Sequence, residues 1–385
     1  MAAPLKGGAG AAPGSRLVPG APSPVPVRAV EGELARLREE ATQAPDASAG
    51  PGALRACTLN LVVGARGGEG PADLASVVAE IMAEHPCRVL LLVEDPAGGA
   101  APQATVAAVC HRPAAGGGLV CGEQVLLAAS AEGRRAVAGA AVSLLVPDLP
   151  VALWWRAGSL EADERFARLA GLADRILLDS ASLADGRPDF SAITGLVERY
   201  RDAALTDLQW GRLTPWRSLT AQFFDPPEMR PCLTRVAEVT VVFGPQPSGA
   251  SQGLLYAGWL ASRLGWQGAG AGRREADGEI RATLEREGGR VRLHLRPAAA
   301  GGTEGLVGVS LLAEGEPPAR FRLDRAADGA CVVSEVELGG RPPLSRTVCV
   351  EEPREGELIR QELRVTGRDR IFEEALRAAA ALVPR

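Results

Sequence analysis

LLVPDLPVALWWR, Leu144–Arg156, joins an apolar run, a Pro-Asp-Leu-Pro turn and a strand-like segment ending in two tryptophans and an arginine. Proline has no N–H to donate and pushes the residue before it out of helical conformation, so Pro147 and Pro150 break the backbone. Val151–Trp155 then reads as a strand. Successive strand side chains point to opposite faces, so Trp154 and Trp155 face opposite ways. Two readings stand. In one, this is a central strand covered by helices. In the other, Trp154, Trp155 and Arg156 form a recognition patch, because tryptophan and arginine are the usual anchors of protein interfaces.

Working outward, the flanking segments alternate. Upstream, Leu54–Val63 reads as a strand and Ala72–Glu84 as a helix opened by Pro71 and stopped by His85-Pro86. Cys87–Val93 is too short for a helix and too apolar for an open face, so it reads as an inner strand. Strands at Ala104–Cys110 and Leu119–Ala128 and a helix at Glu132–Val146 follow. Downstream come a helix at Leu160–Leu172 and a strand at Asp174–Ser180. This pattern predicts an α/β fold, a mostly parallel sheet with covering helices.

Residues 189–224 read as a helical extension, Phe190–Ala204 and Leu213–Phe224. Between them DLQWGRLTPWR, Asp207–Arg217, holds Trp210, Arg212, Trp216 and Arg217. They suit either a packed helical pair or an exposed tryptophan-arginine surface. From about Arg235 the pattern becomes a strand at Val236–Phe243, a helix at Gly253–Leu264, a run of alternating segments split by Gly-rich turns, and a closing helix at Asp369–Leu382. That predicts a smaller α+β domain with an antiparallel sheet. The expected division is a disordered Ala/Pro/Gly-rich tail at 1–27, an N-terminal helix and linker at 28–50, an α/β domain with helical extension at 51–228, and the α+β domain at 229–385.

Composition narrows the chemistry. The 385 residues carry 42 basic and 47 acidic side chains, a net charge of −5, with no field to gather nucleic acid or a membrane surface. Lys6 is the only lysine, which excludes a P-loop or Schiff-base lysine. Seven cysteines without framework spacing, and a start without an apolar core segment, predict reduced thiols in a cytoplasmic protein. The longest apolar run, Ala136–Val146, is too short to cross a bilayer.

Several motifs imitate sites. GARGGEG, Gly64–Gly70, follows a strand and opens a helix, but lacks the G-x-G-x-x-G register of a dinucleotide loop. GASQG, Gly249–Gly253, matches the nucleophile-elbow pattern, yet GPQPS separates it from its strand and His294 shares a face with arginines, so Ser251 reads as a helix N-cap. Cys110, His111 and Cys121 approach one another if their strands pair, without a fourth ligand. His85 and Arg88, in H-P-C-R, are candidate anion contacts with Glu123 as partner, or a helix stop with solvated charges. No paired catalytic carboxylates and no triad emerge. Neither enzyme activity nor a cofactor is expected.

The blocks RACTLNLVV (Arg55–Val63), EHPCRVLLL (Glu84–Leu92), EQVLL (Glu123–Leu127), LLVPDLPVALWWR, TDLQWGRLTPWRSL (Thr206–Leu219) and AGWLASR (Ala257–Arg263) resemble the glucose-6-phosphate dehydrogenase assembly proteins, OpcA. The resemblance covers residues 54–264 in order; beyond Gly265 it is one of pattern only. It implies a non-catalytic protein that binds the NADP-dependent dehydrogenase of the oxidative pentose phosphate pathway and favours its active assembly as an allosteric activator. In photosynthetic relatives it also implies redox regulation, for which Cys87 is the candidate thiol. Trp154, Trp155, Arg156, Trp210, Arg212, Trp216 and Arg217 are then the candidate partner-binding residues. The rival is a sugar-phosphate sensor or enzyme using His85, Arg88 and Glu123.

Overall fold

The computed structural model describes residues 18–19, 23–43, 54–55, 57–111, 120–157, 160, 163–183, 189–268, 272–299 and 303–384. Most of the expected tail, and the His111 side chain, lie outside that description. The chain forms two compact units that interleave along the sequence. The first takes residues 1–178, 200–205 and 354–368; the second takes 179–199, 206–353 and 369–385. The sequence suggested one boundary near 228. Instead, short returning segments complete each unit.

In the first unit β1 (Val18–Pro19), β2 (Ser23–Pro26), α1 (Val30–Gln43) and β3 (Leu54–Arg55) precede β4 (Asn60–Gly64), α2 (Pro71–Glu84) and β5 (Arg88–Glu94). A hairpin of β6 (Gln103–His111) and β7 (Val120–Ala129) leads to α3 (Arg134–Ser143), β8 (Val151–Trp155), α4 (Glu164–Ala170) and β9 (Arg175–Leu178). The sheet order is β1-β6-β7-β5-β4-β8-β9-β10, where β10 is Ala204–Asp207. It is parallel from β7 to β9, with β6 antiparallel outside β7. Five-residue strands β4 and β8 are buried at every position, as central strands covered on both faces should be. The Pro-Asp-Leu-Pro turn ahead of β8 places Asp148 at a φ of 62°, in the left-handed region that Asp tolerates better than most residues. Buried Asn60 clamps that turn, donating to the carbonyls of Val146 and Leu149 (3.0 and 3.3 Å) and accepting from the Val146 N–H (2.8 Å).

The second unit holds α5 (Phe190–Arg199), α6 (Leu208–Arg212), α7 (Thr214–Gln222), β11 (Val236–Phe243) and α8 (Pro247–Arg263). Then come β12 (Gln267–Gly268), β13 (Arg273–Arg274), β14 (Ile280–Arg286), β15 (Gly289–Pro297), β16 (Leu306–Ala313), β17 (Ala319–Arg325), β18 (Cys331–Leu338) and β19 (Leu344–Cys349). They build a sheet of order β12-β14-β15-β11-β16-β17-β18-β19, antiparallel except for the β11–β15 pair. α9 (Glu355–Arg364) returns to the first unit, and α10 (Arg370–Leu382) completes the second against α8.

Three expectations are corrected. The helix expected over Phe190–Ala204 stops at Arg199, and Ala204–Asp207 is a strand beside β9. α8 begins at Pro247 with Gln246 as its cap, so Ser251 lies inside the helix with its hydroxyl buried, not at the N-cap. The cysteines are not all reduced thiols: Cys110 is bonded to Cys121, and Cys331 to Cys349. Both pairs sit directly opposite on neighbouring antiparallel strands, a proximity that sheet register creates and linear spacing does not show. The first bond also removes the thiolates from the Cys110–His111–Cys121 metal reading.

Candidate functional site

In an open parallel sheet, ligands bind beyond the carboxyl ends of the strands where the strand order reverses. From β4 the chain runs one way through β5 and β7, then the other way through β8, β9 and β10, so the reversal lies between β4 and β8. Gly64 at the end of β4 pairs with Trp155 at the end of β8, and a Cβ on Gly64 would overlap the Trp155 indole. In the loop that follows, Glu69 turns its carboxylate back on the crevice. It accepts from the Arg66 backbone N–H (3.0 Å) and from Arg156 Nε and Nη2 (3.0 and 2.6 Å). Nη1 of the same guanidinium pairs with Glu355, the first residue of α9. Burial pushes the Glu69 carboxyl up, but Arg156 and the Arg66 N–H outweigh it and hold it below the usual carboxylate range. Burial also opposes the Arg156 charge, which Glu69 and Glu355 restore. At the switch point, then, the loop carboxylate and the strand-end arginine are already each other's partners.

The candidate anion contacts do not converge on a ligand. Arg88, 1% exposed, donates through Nε to Glu123 (2.7 Å), pairs with Glu31 of α1 and donates to the Leu144 carbonyl (2.8 Å). Glu123, fully buried, also takes Arg38 of α1 at 2.5 Å. The expected Arg88–Glu123 pairing is present, but as an internal clasp between the sheet and α1. His85 stands apart, its Nε2 3.0 Å from the Arg360 carbonyl of α9. Cys87 is fully buried, and burial, then the neighbouring Cys57, pushes its thiol well above the ordinary range. An exposed, low-pKa sensor thiol needs the reverse environment.

The expected partner anchors lie inside the fold. Trp154 and Trp155 are fully buried; Trp210 and Trp216 are nearly so. Each indole is covered by an arginine of its own unit: Arg156 over Trp154 (4.7 Å), Arg165 over Trp155 (5.5 Å), Arg217 over Trp210 (3.5 Å) and Arg325 over Trp216 (5.7 Å). Trp155 also packs on Phe166 of α4, and Trp210 on Phe372 while donating to Asp369 (2.9 Å). Arg212, half-buried, donates to the Pro353 carbonyl (2.8 Å). Tryptophan beside arginine is an interface signature only when both are exposed, and here the pairing is spent inside the fold.

The sequence reading missed a buried polar cluster in the second unit. Asp207 caps α6, its Oδ1 accepting from the N–H groups of Gln209 (3.0 Å) and Ser180 (3.1 Å). The Gln209 amide donates to Asp179 (2.8 Å) and accepts from Gln252 (2.9 Å), which in turn accepts from the Leu306 N–H (3.1 Å). DLQW and GASQG, far apart in sequence, therefore meet. Burial, then the charge of Asp179, raises the Asp207 carboxyl from 3.8 to about 7. A raised carboxyl keeps its proton in the folded state, so its contribution to stability is full below the ordinary value and is lost as pH rises toward 7. Asp207→Asn keeps the Oδ1 acceptor and removes the titration. In urea unfolding its stability relative to the parent should rise by on the order of 2 kcal/mol between about pH 5 and pH 8. Parallel stability profiles for parent and variant would disprove the assignment.

Among the described residues no helix is long and apolar enough to cross a membrane. Strand order and switch point define a doubly wound α/β unit of the dinucleotide-binding type, with Glu69, Arg156 and Glu355 paired with one another near its switch point, accompanied by a mostly antiparallel sheet unit. Residues 78–194 match the family described as the glucose-6-phosphate dehydrogenase subunit N-terminal domain, and residues 203–376 the one described as the C-terminal domain of that subunit. The chain belongs to the glucose-6-phosphate dehydrogenase assembly protein family, OpcA. It is 28% identical over 313 residues to an OxPP cycle protein OpcA of Nostoc punctiforme, covering 79% of this chain and 66% of that one. To the protein of the same name in Synechococcus elongatus it is 34% identical over 197 residues, covering 51% and 43%. The chain thus spans less than two thirds of the length of these curated relatives. Among solved structures, a 3-ketoreductase from Actinomadura kijaniata aligns with 84% of this chain and 95% of its own at 14% identity and a TM-score of 0.46. The WlbA dehydrogenase from Thermus thermophilus covers 84% and 94% at 14% identity and a TM-score of 0.37. Likeness at that level says nothing about chemistry.

Proposed function

We propose that the chain is a non-catalytic assembly partner and allosteric activator of glucose-6-phosphate dehydrogenase. The family supports the choice of partner, since both matched families are described as parts of a subunit of that enzyme. The geometric observation that supports the non-catalytic half is the Glu69–Arg156–Glu355 ion-pair set: the charged groups beside the fold's usual ligand crevice already partner one another. The Arg88–Glu123 clasp argues likewise against the sugar-phosphate reading, because each charge is already the other's partner. A protein of this kind activates only by binding the active state of its partner better than the inactive one.

The test is to mix purified chain and dehydrogenase, following initial rates and the mass of the assembly. A higher rate at subsaturating substrate, with co-sedimentation, is expected. Unaided turnover of a substrate, or unchanged rates and mass on mixing, would refute the proposal. Glucose 6-phosphate, 6-phosphogluconate and NADP should leave the melting temperature of the isolated chain unmoved; strong stabilisation by any of them would favour the sensor reading.

A further inference from the structure

The second unit's sheet ends on an unguarded edge. β19 pairs with β18 alone, and among the described residues no strand takes its other side. Natural edge strands are blunted by proline, lysine, bulges or brevity. Leu344–Cys349, LSRTVC, has no proline and no lysine, and its ladder to β18 runs without a register shift. The opposite end of the sheet carries only the two-residue strands β12 and β13. Nearly every residue of β19 is exposed, and Leu344, 73% exposed, is the most exposed large apolar side chain among the described residues. The single charge, Arg346, is turned to Gln222 (2.5 Å). The Cys331–Cys349 bond ties the strand to its neighbour, so the edge is held in extended form.

The ladder decides which groups are offered. Val350 N–H donates to the Ala330 carbonyl (2.9 Å), so in antiparallel alternation Val348, Arg346 and Leu344 bond to β18. Ser345, Thr347 and Cys349 direct their N–H and C=O groups away from it, to the open side. We infer that β19 is the docking edge for a second copy of this chain, the two strands pairing antiparallel about a two-fold axis at Thr347. That register is self-complementary. Thr347 faces its own copy, Ser345 faces Cys349, Arg346 faces Val348, and the exposed Leu344 faces Val350. No like charges oppose one another, and exposed Arg341 falls diagonal to exposed Glu351 of the second copy, within reach of a long side chain. Shifting the register by two residues, so that Ser345 faces Thr347, would instead set Arg346 against itself. The closed two-fold arrangement is the commonest symmetry of soluble oligomers.

Sedimentation velocity of the full chain over a wide concentration range tests this. The parent should reach twice the monomer mass and dissociate on dilution. Thr347→Pro removes a donor that plays no part in the β18 ladder, so it should sediment as monomer with unchanged circular dichroism and melting. Thr347→Glu and Thr347→Lys should each be monomeric alone and recover the doubled mass when mixed, since the two positions face each other on the axis. A parent that stays at monomer mass throughout overturns the inference. So does a dimer that Thr347→Pro leaves intact, or charge variants that fail to recover on mixing; a strand donated by a different protein would then be the occupant to seek.

Discussion

Glu123→Ala is expected to cost about 3–5 kcal/mol, enough to leave the chain at the edge of folding. The loss comes from what remains. Arg88 is buried beside it and would keep only the partly exposed Glu31 and one carbonyl to offset its charge. Glu123→Gln, which still accepts a hydrogen bond, should lose less. Replacing both partners by apolar residues of similar volume, Arg88→Met with Glu123→Leu, should regain much of the deficit, because no buried charge is then left alone. Urea midpoints of the four proteins check the order. If Glu123→Ala lay within about 1 kcal/mol of the parent, the clasp would be ornamental.

Trp155→Ala should be nearly as damaging, at about 3–5 kcal/mol, through the cavity it opens beneath α4. The indole lies between Gly64 and Phe166, with Arg165 over it, and is fully buried. If the chain activates the dehydrogenase as proposed, any loss of that activation in this variant should therefore track its unfolding transition. Trp155→Phe, keeping most of the volume, should retain both fold and activation. A well-folded Trp155→Ala protein that specifically failed to bind the dehydrogenase would show instead that the residue reaches the partner.

What the sequence revealed and hid has a physical pattern. LVV, VLLLV and VALWW, at 61–63, 89–93 and 151–155, are continuous apolar runs, the mark of strands buried on both faces, so the parallel sheet is legible in the sequence. Ala204–Asp207 has four residues, too few for a period to separate strand from helix. α9, EGELIRQELR, buries only Gly356, Leu358 and Ile359, so charge masks its apolar stripe. The tryptophan-arginine blocks suit a packed core and an interface alike, because residue type cannot say whether the partner lies inside the chain. Glu69 lies within the Gly-rich loop, yet its role depends on Arg156, 87 residues away. Register likewise pairs the cysteines, and only the sheet shows it.

The return of Arg354–Arg368 to the first unit sets a condition on how the protein is made. That segment brings Glu355 to Arg156, and the Val365 and Gly367 carbonyls to the buried Arg175 (2.6 and 3.0 Å). A ribosome that has delivered β9 has delivered most of this unit but not the piece that satisfies its buried arginines. Domains usually complete themselves in order of emergence. Here the amino-terminal portion must wait, with two guanidinium groups short of acceptors, until residues 354–368 have left the exit tunnel.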